Sequence, residues 1–131
     1  YAQLAKEVIK LGQIHLKSIK YCSIEEASLA KYTINSFLAL KVSFMNQIYN
    51  LSKEVGADYN VLKELLMDDE RLGTSHFDVP GPDGKRGFGG ACFPKDVRAI
   101  TAVSKSLGVE LKLLILFIIR VNVIRISFIT K

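Results

Sequence analysis

Apolar side chains recur at helical spacing along most of the chain, which predicts a mainly α-helical protein. The longest pattern follows an SIEE stretch, in which Ser23 and Glu26 fit a capping box, and it meets no glycine or proline up to Glu54. We predict one long helix over about 24–55, ended by Gly56. Such a helix is about 45 Å long, more than a small domain can cover. Its wide apolar face therefore predicts contact with another domain or a second copy of the chain.

Shorter helical patterns surround the long one and complete the predicted fold. They lie at 1–11, from Asp58 onward, from Pro94 to Gly108, and from about Glu110. Residues 14–21 are richer in strand formers and predict a short extended segment. We therefore expect a mainly α protein in which shorter helices pack around the long helix.

The helical pattern stops over residues 72–90. This stretch holds six of the nine glycines and two of the three prolines. An irregular loop of this length in a compact domain is usually either functional or disordered. The loop is therefore the first place where a functional site is expected.

Composition and charge narrow the classes of function. With 131 residues, 49% of them hydrophobic, the chain is long enough for one domain with a buried core. The formal net charge is +5, but the 13 acidic residues are interspersed among the 18 basic ones, and no basic stretch carries a nucleic-acid motif. We therefore expect no nucleic-acid partner, whereas a small anionic ligand suits the modest positive charge.

Cysteine count and hydropathy narrow the possible classes of function further. Cys22 and Cys92 are too few for a disulfide framework, and no His/Cys cluster predicts a metal site. The longest uncharged apolar run near the C-terminus covers residues 113–119, whereas a membrane-spanning helix needs about 20 residues. The sequence also contains no GxGxxG unit with a strand and a helix around it. We expect a reducing, cytoplasmic setting, no membrane partner and no dinucleotide site of the usual kind.

Cys92 is the strongest candidate nucleophile. It lies in GFGGACFPKD just before a predicted helix, where the positive end of the helix dipole favours a thiolate. Lys95 adds a positive charge, Asp96 follows one helical turn after the cysteine, and the glycines let the backbone approach a ligand. A buried structural cysteine next to a glycine-rich turn explains the same residues, so the residues alone leave both interpretations open.

Other candidate residues lie on the long helix and beside the loop. Lys31 and Asn35 are four positions apart, hence on one helical face, and both carry donors that can stabilise an oxyanion. The alternative interpretation is that Lys31 and Asn35 are ordinary solvent-exposed residues on the helix surface. His76 in the loop and Arg71 in DDERLG are candidate substrate contacts. Their alternatives are a solvated loop histidine and a charge at a helix C-terminus.

Four stretches together resemble the nucleotide-sugar 6-dehydrogenases, the UDP-glucose and GDP-mannose dehydrogenase group. GPDGKRGFGGACFPKD is similar to their active-site loop, and EEASLAKYTINSFLALKVSFMNQI to the helix that opens their central domain. DDERLG resembles the segment before their substrate loop, and the pattern of Leu113, Leu114, Val121 and Asn122 resembles the helix that leaves that domain. The CFPKD stretch fits the members that oxidise UDP-glucose or GDP-mannose, and VPGPDG favours UDP-glucose.

The resemblance implies a role for each candidate residue. Cys92 is implied to trap the sugar aldehyde as a thiohemiacetal that becomes a thioester after oxidation by NAD. Lys31 and Asn35 are implied to stabilise the oxyanion, and Asp96 to help with water or proton transfer. The remaining implied contacts are Phe88 and Gly89 with the sugar, Arg71 with the substrate of a neighbouring subunit, and Lys95 near the cofactor.

The resemblance also implies a domain organisation. Residues 1–22 are expected to be a lead-in segment from an NAD-binding domain that this sequence lacks, and 23–131 a helical central domain that forms a homodimer through its long helix. Without the NAD-binding and nucleotide-binding domains, we expect the chain alone to be inactive. The alternative is a helical dimerisation or scaffold module that keeps the motif without the activity.

Overall fold

The structure is a computed structural model that describes residues 20–117. Its helices are α1 (Ile24–Glu54), α2 (Tyr59–Met67) and α3 (Phe93–Ser106), followed by helical residues at 112–117. Within 20–117 no residue forms a strand, which confirms the predicted mainly α fold. The predicted helix at 1–11 and positions 14–19 of the expected extended segment lie outside the described residues.

Local signals set the ends of the helices, as the sequence predicts. At the start of α1, the Glu26 N–H donates to Ser23 Oγ at 3.1 Å and the Ser23 N–H donates to Glu26 Oε2 at 2.7 Å, which completes the capping box. After α1, Gly56 adopts a φ of 73°, a left-handed conformation that suits glycine. The Asp58 side chain caps α2 by accepting a 2.8 Å bond from the Asn60 N–H.

Two small apolar clusters hold the chain together, and each contains one phenylalanine of the glycine-rich loop. The first cluster packs Phe88 against Ala39 of α1 and Val97 of α3. The second packs Phe77 against Met45 of α1 and Tyr59 of α2. Loop 72–90 therefore lies along α1 and is fixed to it at two points.

The opposite side of α1 is apolar and exposed. Ile34, Phe37, Phe44 and Leu51 each leave more than half of their surface accessible to solvent. Part of this side borders an apolar groove of about 550 Å³, whose wall also includes Leu66, Leu113 and Leu116. The wide apolar face expected from the sequence is thus present, and the described part of the chain does not cover it.

Candidate active site

Cys92 lies at the N-cap position of α3, with Pro94 in the first turn of the helix. Its backbone oxygen accepts a 2.9 Å bond from the Asp96 N–H, and its side chain makes no capping hydrogen bond. The thiol is free and exposed, as is that of Cys22. Cys92 is therefore not the buried structural cysteine that the sequence left as the alternative.

Asp96 connects the first turn of α3 to α1. Its side chain is fully buried, and Oδ2 accepts a 2.5 Å hydrogen bond from Asn35 Nδ2, although the two residues are 61 positions apart. The other oxygen, Oδ1, has no hydrogen-bond partner and lies 3.4 Å from Lys95 Nζ. The hydrogen bond from Asn35, with the charges of Lys95 and Lys31, holds the pKa of Asp96 below its ordinary value, against the opposing effect of burial. Asp96 is therefore a buried carboxylate with one hydrogen-bonded oxygen, Oδ2, and one oxygen, Oδ1, whose nearby charge is that of Lys95.

Lys31 completes this polar group, which consists of Lys31, Asn35, Cys92, Lys95 and Asp96 and which we name the α1–α3 polar site. Lys31 lies one turn before Asn35 on α1 and is exposed. Its charge reaches Asp96, since it contributes to lowering the pKa of that carboxyl group. The site thus combines an exposed thiol, a buried carboxylate and donors from two helices.

A cleft of about 440 Å³ ends one residue from the α1–α3 polar site, none of whose members line its wall. Its wall includes three of the predicted substrate contacts, His76, Phe88 and Gly89, and it reaches Phe93, the residue after Cys92. Phe88 is mostly buried, and its ring stacks on Phe117 with centroids 5.2 Å apart, so it is a core residue that borders the cleft. His76 adopts a φ of 66°, and its ring lies 5.7 Å from the ring of Phe93.

Arg71 lies elsewhere, on the wall of the apolar groove and not of the cleft. Its side chain is 88% exposed and holds Asp69 through two bonds, Nε to Oδ1 at 2.9 Å and Nη2 to Oδ2 at 2.5 Å. This pairing lowers the pKa of Asp69 and raises that of Arg71. Within one chain, Arg71 is therefore separate from the other predicted substrate contacts.

Two residues of α1 that the sequence analysis did not single out hold the loop in place. Lys41 Nζ donates to the backbone oxygens of Leu72 at 2.9 Å and Ser75 at 2.5 Å, and it lies 3.7 Å above the ring of Phe77. Burial lowers the pKa of Lys41. Asn46 accepts a 3.1 Å bond from the Gly87 N–H. The sequence contains one signal that could have identified them, because a lysine and an asparagine lie among the apolar positions of a long helix.

Residues 20–117 form neither a metal-binding cluster nor a membrane-spanning helix. No three or more His, Cys, Asp and Glu side chains there are placed to hold a metal ion. No helix in that range is both long and apolar enough to cross a membrane.

The sequence pattern of the UDP-glucose/GDP-mannose dehydrogenase family, central domain, matches residues 25–123, which include the whole α1–α3 polar site and the cleft. The chain belongs to this family. The matched range covers most of the 131 residues, so the resemblance in the active-site loop and the long helix is confirmed over the whole fold.

Individual members of the family show how much of a longer protein the chain represents. It is 42% identical over 88 residues to a UDP-glucose 6-dehydrogenase of Rickettsia bellii, with 67% of this chain and 19% of that protein aligned. It is 40% identical over 89 residues to a GDP-mannose 6-dehydrogenase of Pseudomonas aeruginosa, with 67% and 20% aligned. The chain spans about a fifth of the length of these curated relatives.

A solved structure supports the same assignment. The UDP-glucose dehydrogenase from the hyperthermophilic archaeon Pyrobaculum islandicum superimposes with a TM-score of 0.68 and 35% sequence identity. The superposition covers 93% of this chain and 27% of that one. The helical fold around the α1–α3 polar site is therefore shared with a nucleotide-sugar dehydrogenase.

Proposed function

We propose that the chain is the catalytic-cysteine part of an NAD-dependent nucleotide-sugar 6-dehydrogenase that oxidises UDP-glucose to UDP-glucuronate. The observation that carries this proposal is the bond between Asn35 and Asp96, which places donors of α1 next to the first turn of α3. Cys92 lies at the N-cap position directly before that turn, with an exposed thiol. Membership of the family supports the class of substrate, a nucleotide sugar.

The proposed reaction removes two pairs of electrons from C6 of the sugar. The first oxidation converts the 6-hydroxyl group to an aldehyde. The Cys92 sulfur then adds to the aldehyde carbon, which forms a C–S bond and a thiohemiacetal hydroxyl group. The second oxidation converts the thiohemiacetal to a thioester, and water cleaves the C–S bond to give the carboxylate and the free thiol.

The remaining groups of the α1–α3 polar site have separate roles in this proposal. An asparagine amide has two N–H donors, so the bond from Asn35 to Asp96 leaves one donor for the oxyanion. Lys31, exposed on the same side of α1, supplies a positive charge to that oxyanion. Oδ1 of Asp96, which makes no hydrogen bond and lies 3.4 Å from Lys95 Nζ, helps with the positioning of water or with proton transfer.

NAD supplies the hydride acceptor for both oxidations when it is bound. Lys95 fits a contact with this cofactor, because its side chain is 65% exposed and its ammonium group has donors beyond the Asp96 ion pair. One lysine is not a dinucleotide site, and the sequence has no GxGxxG unit. We therefore place most of the NAD site in another domain, with 1–22 as the lead-in segment and 23–131 as the central domain.

The cleft beside the polar site is the proposed place of the sugar, with Phe88, Gly89 and His76 as contacts. Relatives that act on UDP-glucose and on GDP-mannose are similar to the chain to almost the same degree, 42% and 40%. Our preference for UDP-glucose therefore depends on VPGPDG, residues 79–84, part of which lines the cleft.

We also propose a cytoplasmic homodimer formed through the exposed apolar face of α1. The position of Arg71 supports it, because this residue is on the groove side of the molecule and not in its own chain's cleft. A partner chain seated on the groove side would allow Arg71 to contact the partner's substrate. The same exposed face also favours the alternative function, a dimerisation or scaffold module without activity.

Thiol labelling separates the two functions. We expect iodoacetamide to modify Cys92 at least about fivefold faster than Cys22 at neutral pH, although both thiols are exposed. We also expect UDP-glucose to slow the modification of Cys92 alone, and GDP-mannose to do so less. Equal rates for the two cysteines, with no effect of either nucleotide sugar, would support the scaffold function instead.

A second measurement tests whether the 131 residues are sufficient for catalysis. We expect no NADH absorbance to develop when the purified chain is mixed with UDP-glucose and NAD, because the chain has a single proposed cofactor contact. Steady NADH production that disappears in Cys92→Ala would contradict this expectation and would place a complete cofactor site within the chain.

A further inference from the structure

Both polar atoms of the Asn46 side chain form hydrogen bonds, although the residue lies in the middle of a helix. It is mostly buried, with 6% of its surface exposed. Its Oδ1 accepts bonds from the Gly87 N–H at 3.1 Å and from Arg86 Nε at 3.3 Å, while its Nδ2 donates to the Val42 backbone oxygen at 2.8 Å. The bond to Val42 orients the amide, so that Oδ1 faces the loop.

These bonds fix the part of the loop that forms one wall of the cleft. Gly87 adopts a φ of 77°, a left-handed conformation, and its N–H points to α1. The next residue, Phe88, enters the cluster with Ala39 and Val97, and Gly87, Phe88 and Gly89 all line the cleft. The Asn46 oxygen therefore binds the first residue of the stretch 87–92, which ends at Cys92.

Arg86 adds a second connection to α1 that does not involve the Gly87 amide. Its Nη2 donates to the backbone oxygen of Asn46 at 3.0 Å and to Asn50 Oδ1 at 2.6 Å. Asn50 is exposed and one turn further along α1. Asn50 thus contacts the same arginine without contacting the glycine, which makes it a matched control for Asn46.

We propose that Asn46 is a positioning residue for the sugar cleft, which it shapes through the bond from the Gly87 N–H. The inference depends on the proposed function, since it assumes that a nucleotide sugar occupies the cleft. Without an acceptor at Asn46, the partly buried Gly87 N–H loses its hydrogen-bond partner, so residues 87–90 are expected to move away from α1 toward water. The wall of the cleft and the approach to Cys92 are then lost together.

The test compares Asn46→Ala, Asn46→Asp and Asn50→Ala in the full 131-residue chain. Iodoacetamide modifies the two cysteines, mass spectrometry of the peptides gives the rate at each, and UDP-glucose is the protecting ligand. We expect Asn46→Ala to raise the UDP-glucose concentration that halves the Cys92 rate by about tenfold, the size of effect expected from losing the partly buried bond to Gly87. Asn46→Asp keeps the acceptor and should stay within about threefold, and Asn50→Ala within about twofold.

Asn46→Asp is the decisive variant. A merely structural role for a polar side chain at this position would lower protection equally in Asn46→Ala and Asn46→Asp, since both lose the bond to Val42. Recovery in Asn46→Asp alone assigns the effect to the oxygen that binds Gly87. Equal losses in both, or less than about twofold change in Asn46→Ala, would overturn the proposal.

A readout without ligand separates this proposal from the proposed function. The ratio of the Cys92 rate to the Cys22 rate should fall at least about threefold in Asn46→Ala and return in Asn46→Asp, because the loop leads directly into Cys92. If UDP-glucose fails to protect the unmodified chain, the sugar assignment is wrong, and the rate ratio alone decides whether Asn46 positions Cys92. An unchanged ratio then rejects the positioning role as well.

Discussion

The two sides of α1 differ in a way that is unusual for an amphipathic helix, because several of its large apolar residues are exposed while most of its buried residues are small or polar. Its buried residues are the small or polar Ser36, Ala39, Ser43, Asn46 and Ser52, and one large apolar residue, Met45. Val42, Ile48 and Tyr49 pack against the two clusters but are only partly buried. The other side exposes Ile34, Phe37, Phe44 and Leu51. In most surface helices the large apolar residues face the core.

This difference indicates that the two sides serve different purposes. Small residues let α3 approach α1 closely, and Asn35 and Asn46 then bind a carboxylate and a loop at short range. The large apolar side chains supply area for burial in a contact that the described residues do not make. We conclude that the inner side builds the site and the outer side is suited to assembly.

The largest effect is expected on the outer side. Phe37→Glu combined with Phe44→Glu should weaken self-association at least about 100-fold, because charges replace two aromatic anchors of the proposed interface. Sedimentation velocity across a concentration series measures the change. Ala102→Glu, which places a charge on an exposed position of α3, is the control and should leave association unchanged. A dimer that survives the double substitution would show that the outer side is not the interface.

A smaller effect, on stability, is expected on the inner side. Ala39→Leu inserts a larger side chain at a fully buried position against Phe88 and Val97, which should lower the free energy of unfolding by about 2 kcal/mol. Urea denaturation measures this change. Ala30→Leu makes the same substitution at an exposed position of α1 and should have little effect. Equal effects at the two positions would mean that the helix sides do not differ in packing.

The smallest effect is a change in how stability depends on pH. The folded chain binds the Asp96 proton more weakly than the unfolded chain, so the carboxylate stabilises the fold above its ordinary pKa of 3.8. This contribution is lost as pH falls through the lower pKa of the folded state. Asn35→Ala removes the largest cause of the lowered pKa, so the folded and unfolded pKa values come closer and the loss of stability on acidification should be smaller.

Urea unfolding at a series of pH values from about 3 to 7 measures how the stability of each variant depends on pH. Asn60→Ala, at an exposed position of α2, is the control and should follow the unsubstituted chain. An Asn35→Ala profile parallel to that of the control would indicate that the bond to Asp96 does not govern the titration of this carboxyl group.

The helices could be predicted because their signals are local. SIEE caps the start of α1, Gly56 ends it, and Asp58 caps α2, each through residues only a few positions apart. The observed end of α1 lies within one residue of the predicted end. The side of α1 that is buried could not be predicted in this way. Its most exposed apolar residues lie on the outer side, whereas most of its fully buried positions carry small or polar residues.

The candidate site was predictable in part. The position of Cys92 at a helix start follows from the neighbouring Pro94, which is a local signal. The pairing of Asn35 with Asp96 and the anchoring of Gly87 by Asn46 join residues 61 and 41 positions apart. No spacing rule links residues so distant in the chain, and only the resemblance to a family had grouped Asn35 with Asp96.

The sequence by itself determined the helices, the irregular loop between them and the place of Cys92, because capping, helical periodicity and glycine conformation depend on near neighbours in the chain. Only the tertiary structure decided that Asp96 is buried beside Asn35, that Lys41 and Asn46 hold the loop, and that Arg71 lies on the groove side. These arrangements depend on how α3 and the loop pack against α1, since burial and long-range hydrogen bonds arise only when distant segments meet.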